Sequence, residues 1–402
     1  MRQADDPNSG TSGGAVPHPT GQSPTRLAFS IILAAMLNVP LAVCRLLFPL
    51  VAMTTGAGTL QIGIIVSFMT AMPILFTIRF GRWVDRAGAF IPFAFSAGLV
   101  ILGGLCFAVL PSTYTLFVTS SLVGLGAMFA HVVAARTVAD KGPPEGRAGR
   151  LGLLVLSYSV VQFLGPLLAA AIFERHGSQS ALLTVSAFGT AALLGLFVAP
   201  HHYMRGKKAG SPKDAPSHAF DLLAMPSLRA RIIVNGVFFG ALSIYPVVLA
   251  FHSVEIGITA TQAGLVLGAF AAGNAFSRLS AGRVLRWFAA EKVLIGTLIV
   301  SALSFALLPL FHAIPTLAGV SVMLGLAMGL ANPTALSLIY SAAPEARLTE
   351  AIGMAVAVGN FFQTLVPLVL GVIVSMFGLP AMVWLLSLGM LATTLLLRAG
   401  NR

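Results

Sequence analysis

Charge is what this chain has least of. Only 9% of its 402 residues are Asp, Glu, Lys or Arg, where a soluble domain carries about 25%. A surface that poor in charge cannot be hydrated, so the solvent of this chain is lipid. Acid is scarcer still, with twelve Asp and Glu in all and none near the middle of an apolar run. A cationic cargo commonly finds its counter-ion, and a transported proton its carrier, in an intramembrane carboxylate; this chain offers none. The two cysteines, Cys44 and Cys106, lie inside apolar runs, and the eight histidines form no HxxxH or HExxH pattern. A disulfide framework is therefore excluded, and neither a metal site nor a cofactor is expected. Phosphate-loop, dinucleotide and nucleophile-elbow patterns are also missing, so no catalytic residue is assigned and enzyme chemistry is not expected.

What is present is apolar sequence, 57% of the chain. Runs long enough to cross a bilayer as helices fit at 27–53, 60–79, 90–110, 114–135, 151–173 and 179–199, then at 229–251, 260–281, 293–311, 315–340, 351–376 and 379–398. The expectation is an all-α membrane protein of twelve transmembrane helices in two six-helix bundles, 26–200 and 229–398. Residues 1–25 are rich in Gly, Pro, Ser and Thr and read as a disordered cytoplasmic tail. The polar stretch 201–228 reads as a cytoplasmic linker and 399–402 as a second short tail.

A formal net charge of +12 would point a soluble protein towards nucleic acid. Here 22 of the 24 Lys and Arg fall on one side of the twelve-span layout, with Arg175 in a loop on the other side and Arg45 inside the first span. Basic loops stay in the cytoplasm, so both termini are expected there, in a multi-pass protein of the cell's inner membrane. The expected partners are the lipid bilayer, a small-molecule substrate and a proton or other counter-ion; nucleic acid is not expected, and the chain is expected to be a monomer.

The densest polar cluster is Phe80-Gly81-Arg82-Trp83-Val84-Asp85-Arg86-Ala87-Gly88, expected as a tight loop between the second and third spans. Part of it recurs. A shift of 201 residues aligns Gly81-Arg82 with Gly282-Arg283, Gln61 with Gln262, Gly63 with Gly264, Gly124-Leu125 with Gly325-Leu326, Gln162 with Gln363, Pro166 with Pro367 and Gly177 with Gly378. The acid does not recur, because Arg286 stands where Asp85 would fall. One shift that pairs loop with loop and proline with proline predicts two parallel repeats related by an axis along the membrane normal.

From Leu27 to Arg398 the chain resembles the major facilitator superfamily of transporters, in its six-plus-six layout, its long central linker and three local motifs. The first is the segment Gly81, Arg82, Asp85, Arg86 and Gly88, with Gly282, Arg283 and Arg286 as its second-half counterpart. In the family such an acid braces the inner gate against the amino end of helix 11, here near Thr349 to Gly353. The second is Leu164-Gly165-Pro166 in helix 5, similar to a motif of antiporters, although its usual closing glycines are Ala169 and Ala170. In helix 4 Gly124-Leu125-Gly126 is present, but Ser120 and Ser121 stand where related efflux proteins carry an arginine. The resemblance implies alternating access, with bacterial proton-coupled efflux members the most similar kind.

Arg45 is the one charged residue deep within an expected span, and an arginine there needs water, a partner or the headgroups. Facing a central cavity, it favours an anionic or carboxylate-bearing substrate; turned outward, it snorkels to the outer headgroups. His131, the histidine well inside a span, titrates near neutral pH and is a candidate proton site. Asn38, Gln162, Asn235, Asn332 and Gln363, with Tyr158, Tyr245, Asn274 and Asn360, are amides and hydroxyls available either to a substrate or to helix packing. The leading expectation is proton-coupled export of small organic molecules. Uptake or exchange of an organic anion through Arg45 is the alternative, and a non-transporting membrane sensor is the third.

Overall fold

With no water in the hydrocarbon core, each apolar run must satisfy its backbone internally, and helices do so. The computed structural model describes residues 24–139, 147–198, 219–344 and 347–399. Its helices are α1 (Pro24–Thr54), α2 (Thr59–Ala87), α3 (Phe90–Val109) and α4 (Thr113–Ala139). A continuous helical run, Arg147–Val198, is broken at Gly177, where φ is 81° and ψ 179°, giving α5 (147–176) and α6 (178–198). In the second half come α7 (Pro226–Glu255), α8 (Ala260–Trp287), α9 (Ala290–Leu307) and α10 (Ile314–Ala342). The run Leu348–Ala399 is broken in the same way at Gly378, with φ 80° and ψ 173°, giving α11 (348–377) and α12 (379–399). Such backbone angles are open essentially to glycine alone, so these two residues turn the chain between crossings without a loop.

Nine helical stretches among the described residues are long and apolar enough to cross a membrane, and Gly149–Val198 and Glu350–Leu397 each hold two crossings. With α8, whose run is more polar for its Gln262, Asn274 and Arg278, the chain crosses twelve times. The expected tail 1–25 falls almost wholly outside the described residues, as does most of the linker. The linker's last residues form a short 3-10 helix, Ala219–Ala224, and α7 starts at Pro226 rather than at 229.

The face on which α1 begins and α12 ends is called the terminal face below; the face at Thr54, Gly177, Glu255 and Gly378 is the far face. At the terminal face the structure departs from the sequence reading. The segment from Phe80 to Ala87 is not a loop but the last two turns of α2. No proline interrupts it, and its arginines extend past the apolar run into the headgroup zone, so nothing stops the helix before Gly88. Gly88 ends it, at φ 78° and ψ −173°, donating its N–H to the Val84 carbonyl. In the second half Gly282, Arg283 and Arg286 are likewise helical, within α8. Arg82, Arg86, Arg283 and Arg286 are all exposed. The side chain of Asp85 and that of Thr349 lie outside the described residues.

The 201-residue register holds in three dimensions. Gly56 and Gly257, like Gly177 and Gly378, have matching positive φ values. Gln61 accepts the N–H of Gly58 at 3.0 Å and Gln262 that of Thr259 at 2.9 Å; at α8 the Thr259 hydroxyl accepts the Gln262 N–H in return and completes a capping box, while Gly58 has no side chain to do so at α2. Gly124 presses on the Met69 carbonyl and Gly325 on that of Phe270, positions again 201 apart. Small residues let these backbones touch, which is how helices associate without a hydrophobic drive.

The interface between the halves as candidate functional site

The two halves meet along α1, α2 and α5 of the first and α7, α8 and α11 of the second. A Cβ at Gly63 of α2 would stand 2.7 Å from the Pro367 carbonyl and 3.0 Å from Gly371 Cα of α11. Its repeat mate Gly264 of α8 faces Pro166, Leu167 and Ala170 of α5 at 3.1 to 3.2 Å. Since 166 and 170 are the register mates of 367 and 371, these two crossings are one contact made twice about the internal axis. Next to the first, the Ser67 hydroxyl donates to the Thr364 carbonyl at 2.9 Å, and the Thr364 hydroxyl to that of Thr70 at 3.1 Å. Next to the second, the Glu174 carboxylate accepts the N–H of Thr261, in the first turn of α8, at 3.1 Å. Thr70 lies only about 16 Å from the start of α2 at 1.5 Å per residue. These contacts therefore close the halves against each other on the far-face side.

Glu174 stands beyond the apolar run of α5, which ends at Phe173. Its carboxyl is held below its ordinary pKa, first by the hydrogen bonds from Thr261 and last by the nearby Arg175 charge. An ionised acid is also the favoured partner of the positive end of a helix.

Between the halves lies a small cavity of about 30 Å³, lined by Ala42 and Arg45 of α1, Gln162 and Pro166 of α5, Leu242 and Pro246 of α7, and Leu267, Phe270 and Ala271 of α8. That is room for about one water. Arg45 therefore points into the protein between its halves, not at lipid, and snorkelling to the headgroups does not account for it. Among the described residues it has neither an ion pair nor a hydrogen bond. Gln162 joins it there; Asn38, two turns along the same stripe of α1, is buried.

The other predicted candidates are placed elsewhere. His131 packs on the ring of Tyr158, centroids 5.1 Å apart, and Tyr158 belongs to a core of α1, α4 and α5 inside the first half. Asn235 of α7 donates to the Ala355 carbonyl of α11 at 3.3 Å, a packing bond within the second half. Gln363 and Asn332 are half-buried, and the Gln363 backbone carbonyl accepts from Ser243 at 3.3 Å. Tyr245 is fully buried and bonds Ser321 at 2.6 Å; as the Ser321 hydroxyl donates to the Leu317 carbonyl, Tyr245 is the donor. Gly165 packs α5 on α1 at ordinary distances from Ala42 and Val43, while Pro166 reaches both the cavity and Gly264. Sequence reasoning missed Glu174 and the caps of Gln61 and Gln262; the Thr259-x-x-Gln262 capping pattern was the legible signal.

The family model described as Major Facilitator Superfamily matches residues 27–252 and 232–400, which covers both halves. The chain is a member of the major facilitator superfamily. Among curated proteins this member is similar to the vesicular acetylcholine transporters of Rattus norvegicus and Homo sapiens, each 28% identical over 167 residues. Those matches take in 41% of this chain, but only 32% of the rat protein and 31% of the human one, so the chain spans about a third of the relatives it matches. Among solved structures a mutant of the nucleoside transporter NupG superposes with a TM-score of 0.79 at 14% identity, covering 94% of this chain and 100% of that one. A bacterial homologue of the human lysosomal transporter Spinster, inward-facing and unoccupied, gives 0.69 at 16%, covering 94% and 96%. At these identities the likeness is one of fold.

Proposed function

We propose that this superfamily member is a secondary active transporter that carries a small organic anion across the membrane by rocking its two halves about the cavity at Arg45. The carrying observation is Arg45 itself. An unpaired guanidinium between the halves, with no acid among the described residues near it, is a site for a carboxylate or similar group. Acetylcholine, named for the similar vesicular proteins, has a fixed positive charge that such a site repels. The basic residues gathered at the terminal face support a cytoplasmic position for both termini, in a cell's inner membrane. Nothing in the arrangement needs a second copy of the chain, and a monomer suffices.

Proton-coupled export is the second reading, favoured by the antiporter-like Gly165-Pro166 at the α5–α8 contact and by a titratable group, Glu174, in the far-face closure. Proteoliposomes separate the two. Loaded with organic acids, organic cations or neutral amides and given a pH gradient of either sign, they should show saturable movement of an acid, with Arg45→Gln slowing it. Movement of cations alone, or acid movement untouched by Arg45→Gln, overturns the anion reading.

A further inference from the structure

Arg278 looks, from sequence, like one more basic residue of the terminal face, grouped with Arg283, Arg286 and Lys292. The structure places it on the inner stripe of α8. It lies nine residues before the end of α8 at Trp287, about one turn inside the exposed Gly282 and Arg283, and is half-buried. Its Nε is buried and has no hydrogen-bond partner among the described residues.

The direction it takes follows from the helix. At 100° per residue, positions 267, 271, 274 and 278 share a stripe about 60° wide. Leu267 and Ala271 of that stripe line the Arg45 cavity. The opposite side of α8 carries Leu265, Phe276 and Leu279, exposed by 51%, 67% and 70%, and that is the lipid side. Arg278 therefore stands on the inter-half side, two turns nearer the terminal face than the Arg45 cavity. One turn above it on the same stripe, Asn274 is buried where α8 packs on Gly325 and Gly329 of α10, and its Nδ2 also lacks a partner among the described residues. The described acids are all near helix ends: Glu174 and Glu255 at the far face, Asp221, Glu291 and Glu350 at the terminal face. Among the described residues none forms an ion pair with this guanidinium.

Two arginines and an amide donor, none with a partner among the described residues and all on or beside one stripe of α8, have a common explanation. We propose that Arg278 and Asn274 form a second anion-binding subsite of the transport path. The cargo is then an organic anion with two acidic groups, one held by Arg45 and the other by Arg278 with Asn274. Seven residues of α8 separate Ala271, beside Arg45, from Arg278, a rise of about 10 Å, and two long side chains shorten that span from both ends. A guanidinium accepts a carboxylate in bidentate fashion, and the Asn274 amide supplies a further donor. This assignment rests on the anion reading of Arg45 and sharpens it from an anion to a dianion.

The test uses the full-length purified protein and three probes of one shape and different charge: succinate, succinamate and succinamide. Ligand that binds the folded protein raises its melting temperature with concentration. Succinate should stabilise most, succinamate less and succinamide not at all. Arg278→Gln should weaken succinate about tenfold or more, to the level of succinamate, while leaving succinamate stabilisation in place. Arg45→Gln should weaken both acids. If Arg278→Gln keeps the full preference for succinate over succinamate, the second subsite is wrong and the Arg45 reading stands. If neither acid stabilises the wild-type protein, both fall. Should Arg278→Gln not fold, phenylglyoxal modification of the wild-type protein, read by mass spectrometry, decides. Succinate protects Arg278 in this proposal, and an unchanged modification rate at Arg278 overturns it.

Discussion

The carboxylate of Glu174, at the end of α5, accepts the backbone N–H of Thr261, in the first turn of α8, at 3.1 Å across the boundary between the halves. It is a brace on the far face, an acid of one half held to the positive end of a helix in the other. The role resembles that expected of Asp85 on the terminal face, and an alternating transporter needs such contacts on each face in turn. Glu174→Gln removes the charge and should favour the far-open state. In a background with Cys44 and Cys106 replaced by serine, an Ala271→Cys reporter in the Arg45 cavity should react several-fold faster with a membrane-impermeant maleimide applied from the far face. Equal labelling rates with and without Glu174→Gln would remove the brace.

The same contact sets a pH dependence. Thr261 lowers the Glu174 pKa while the far face is closed; once the halves part and that bond is lost, the carboxyl should return to the ordinary glutamate range. A group whose pKa is depressed in one state stabilises that state above its ordinary pKa and loses the effect as pH falls through the depressed value. Far-face closure should therefore be unaffected from neutral pH down to about 5 and weaken in the more acidic range, by the same cysteine assay. Glu174→Gln should abolish that acid dependence.

A pair of glycines makes a sharper steric prediction. Gly63→Ala puts a methyl 2.7 Å from the Pro367 carbonyl and 3.0 Å from Gly371 Cα. Both are backbone atoms, so α2 and α11 must separate. At Gly264 the same methyl meets nothing nearer than 3.1 Å, so a shift of a few tenths of an ångström is enough there. Gly63→Ala should open the far face and slow transport, and Gly264→Ala should do so less. The reverse order in maleimide labelling would mean that the far-face closure is not set by these crossings.

Much of the architecture is legible in the sequence because lipid imposes it: a run near twenty apolar residues has few options but a crossing helix. The repeat is legible for a similar reason, since Gly177 and Gly378 have no substitute at their backbone angles. Side-chain direction is what sequence did not settle. Arg45 was compatible with lipid or interior until Pro246 and Ala271 were seen around it. Arg278 was grouped with the terminal-face cations by its charge; that Leu267, Ala271, Asn274 and Arg278 share a face at 3.6 residues per turn is a second fact the sequence already held. The stretch from Phe80 to Ala87 was taken as a loop on polarity alone, but polarity does not end a helix; a residue that cannot continue it does.

Gly88 is that residue, and this separates it from the other glycine of the same motif. At φ 78° and ψ −173° any side chain is strained, by about 1–3 kcal/mol. Gly81 is helical, with nothing within 4 Å of an added Cβ, and a helical Gly→Ala change gains about 0.5–1 kcal/mol. Gly88→Ala should lower the melting temperature and Gly81→Ala should hold or raise it. Similar shifts for both would mean that the turn after α2 relaxes without cost.

Arg45 carries the last prediction, because its two roles pull in opposite directions. A charged group between the halves with no partner among the described residues costs stability while the cavity holds no anion. It is also the group that a carboxylate would seek, through charge-assisted hydrogen bonds worth about 1.5–3 kcal/mol. Arg45→Gln should accordingly raise the melting temperature of the cargo-free protein. It should also weaken the binding of organic acids about ten- to 150-fold, the factor that free energy implies. A residue kept only for packing would show neither pattern; its loss would lower stability and leave acid binding alone. Thermal unfolding of wild type and Arg45→Gln, each with and without succinate, distinguishes the two. If the variant melts lower without cargo and succinate stabilises it as it does the wild type, Arg45 is a packing residue and the cargo must be sought elsewhere on the interface.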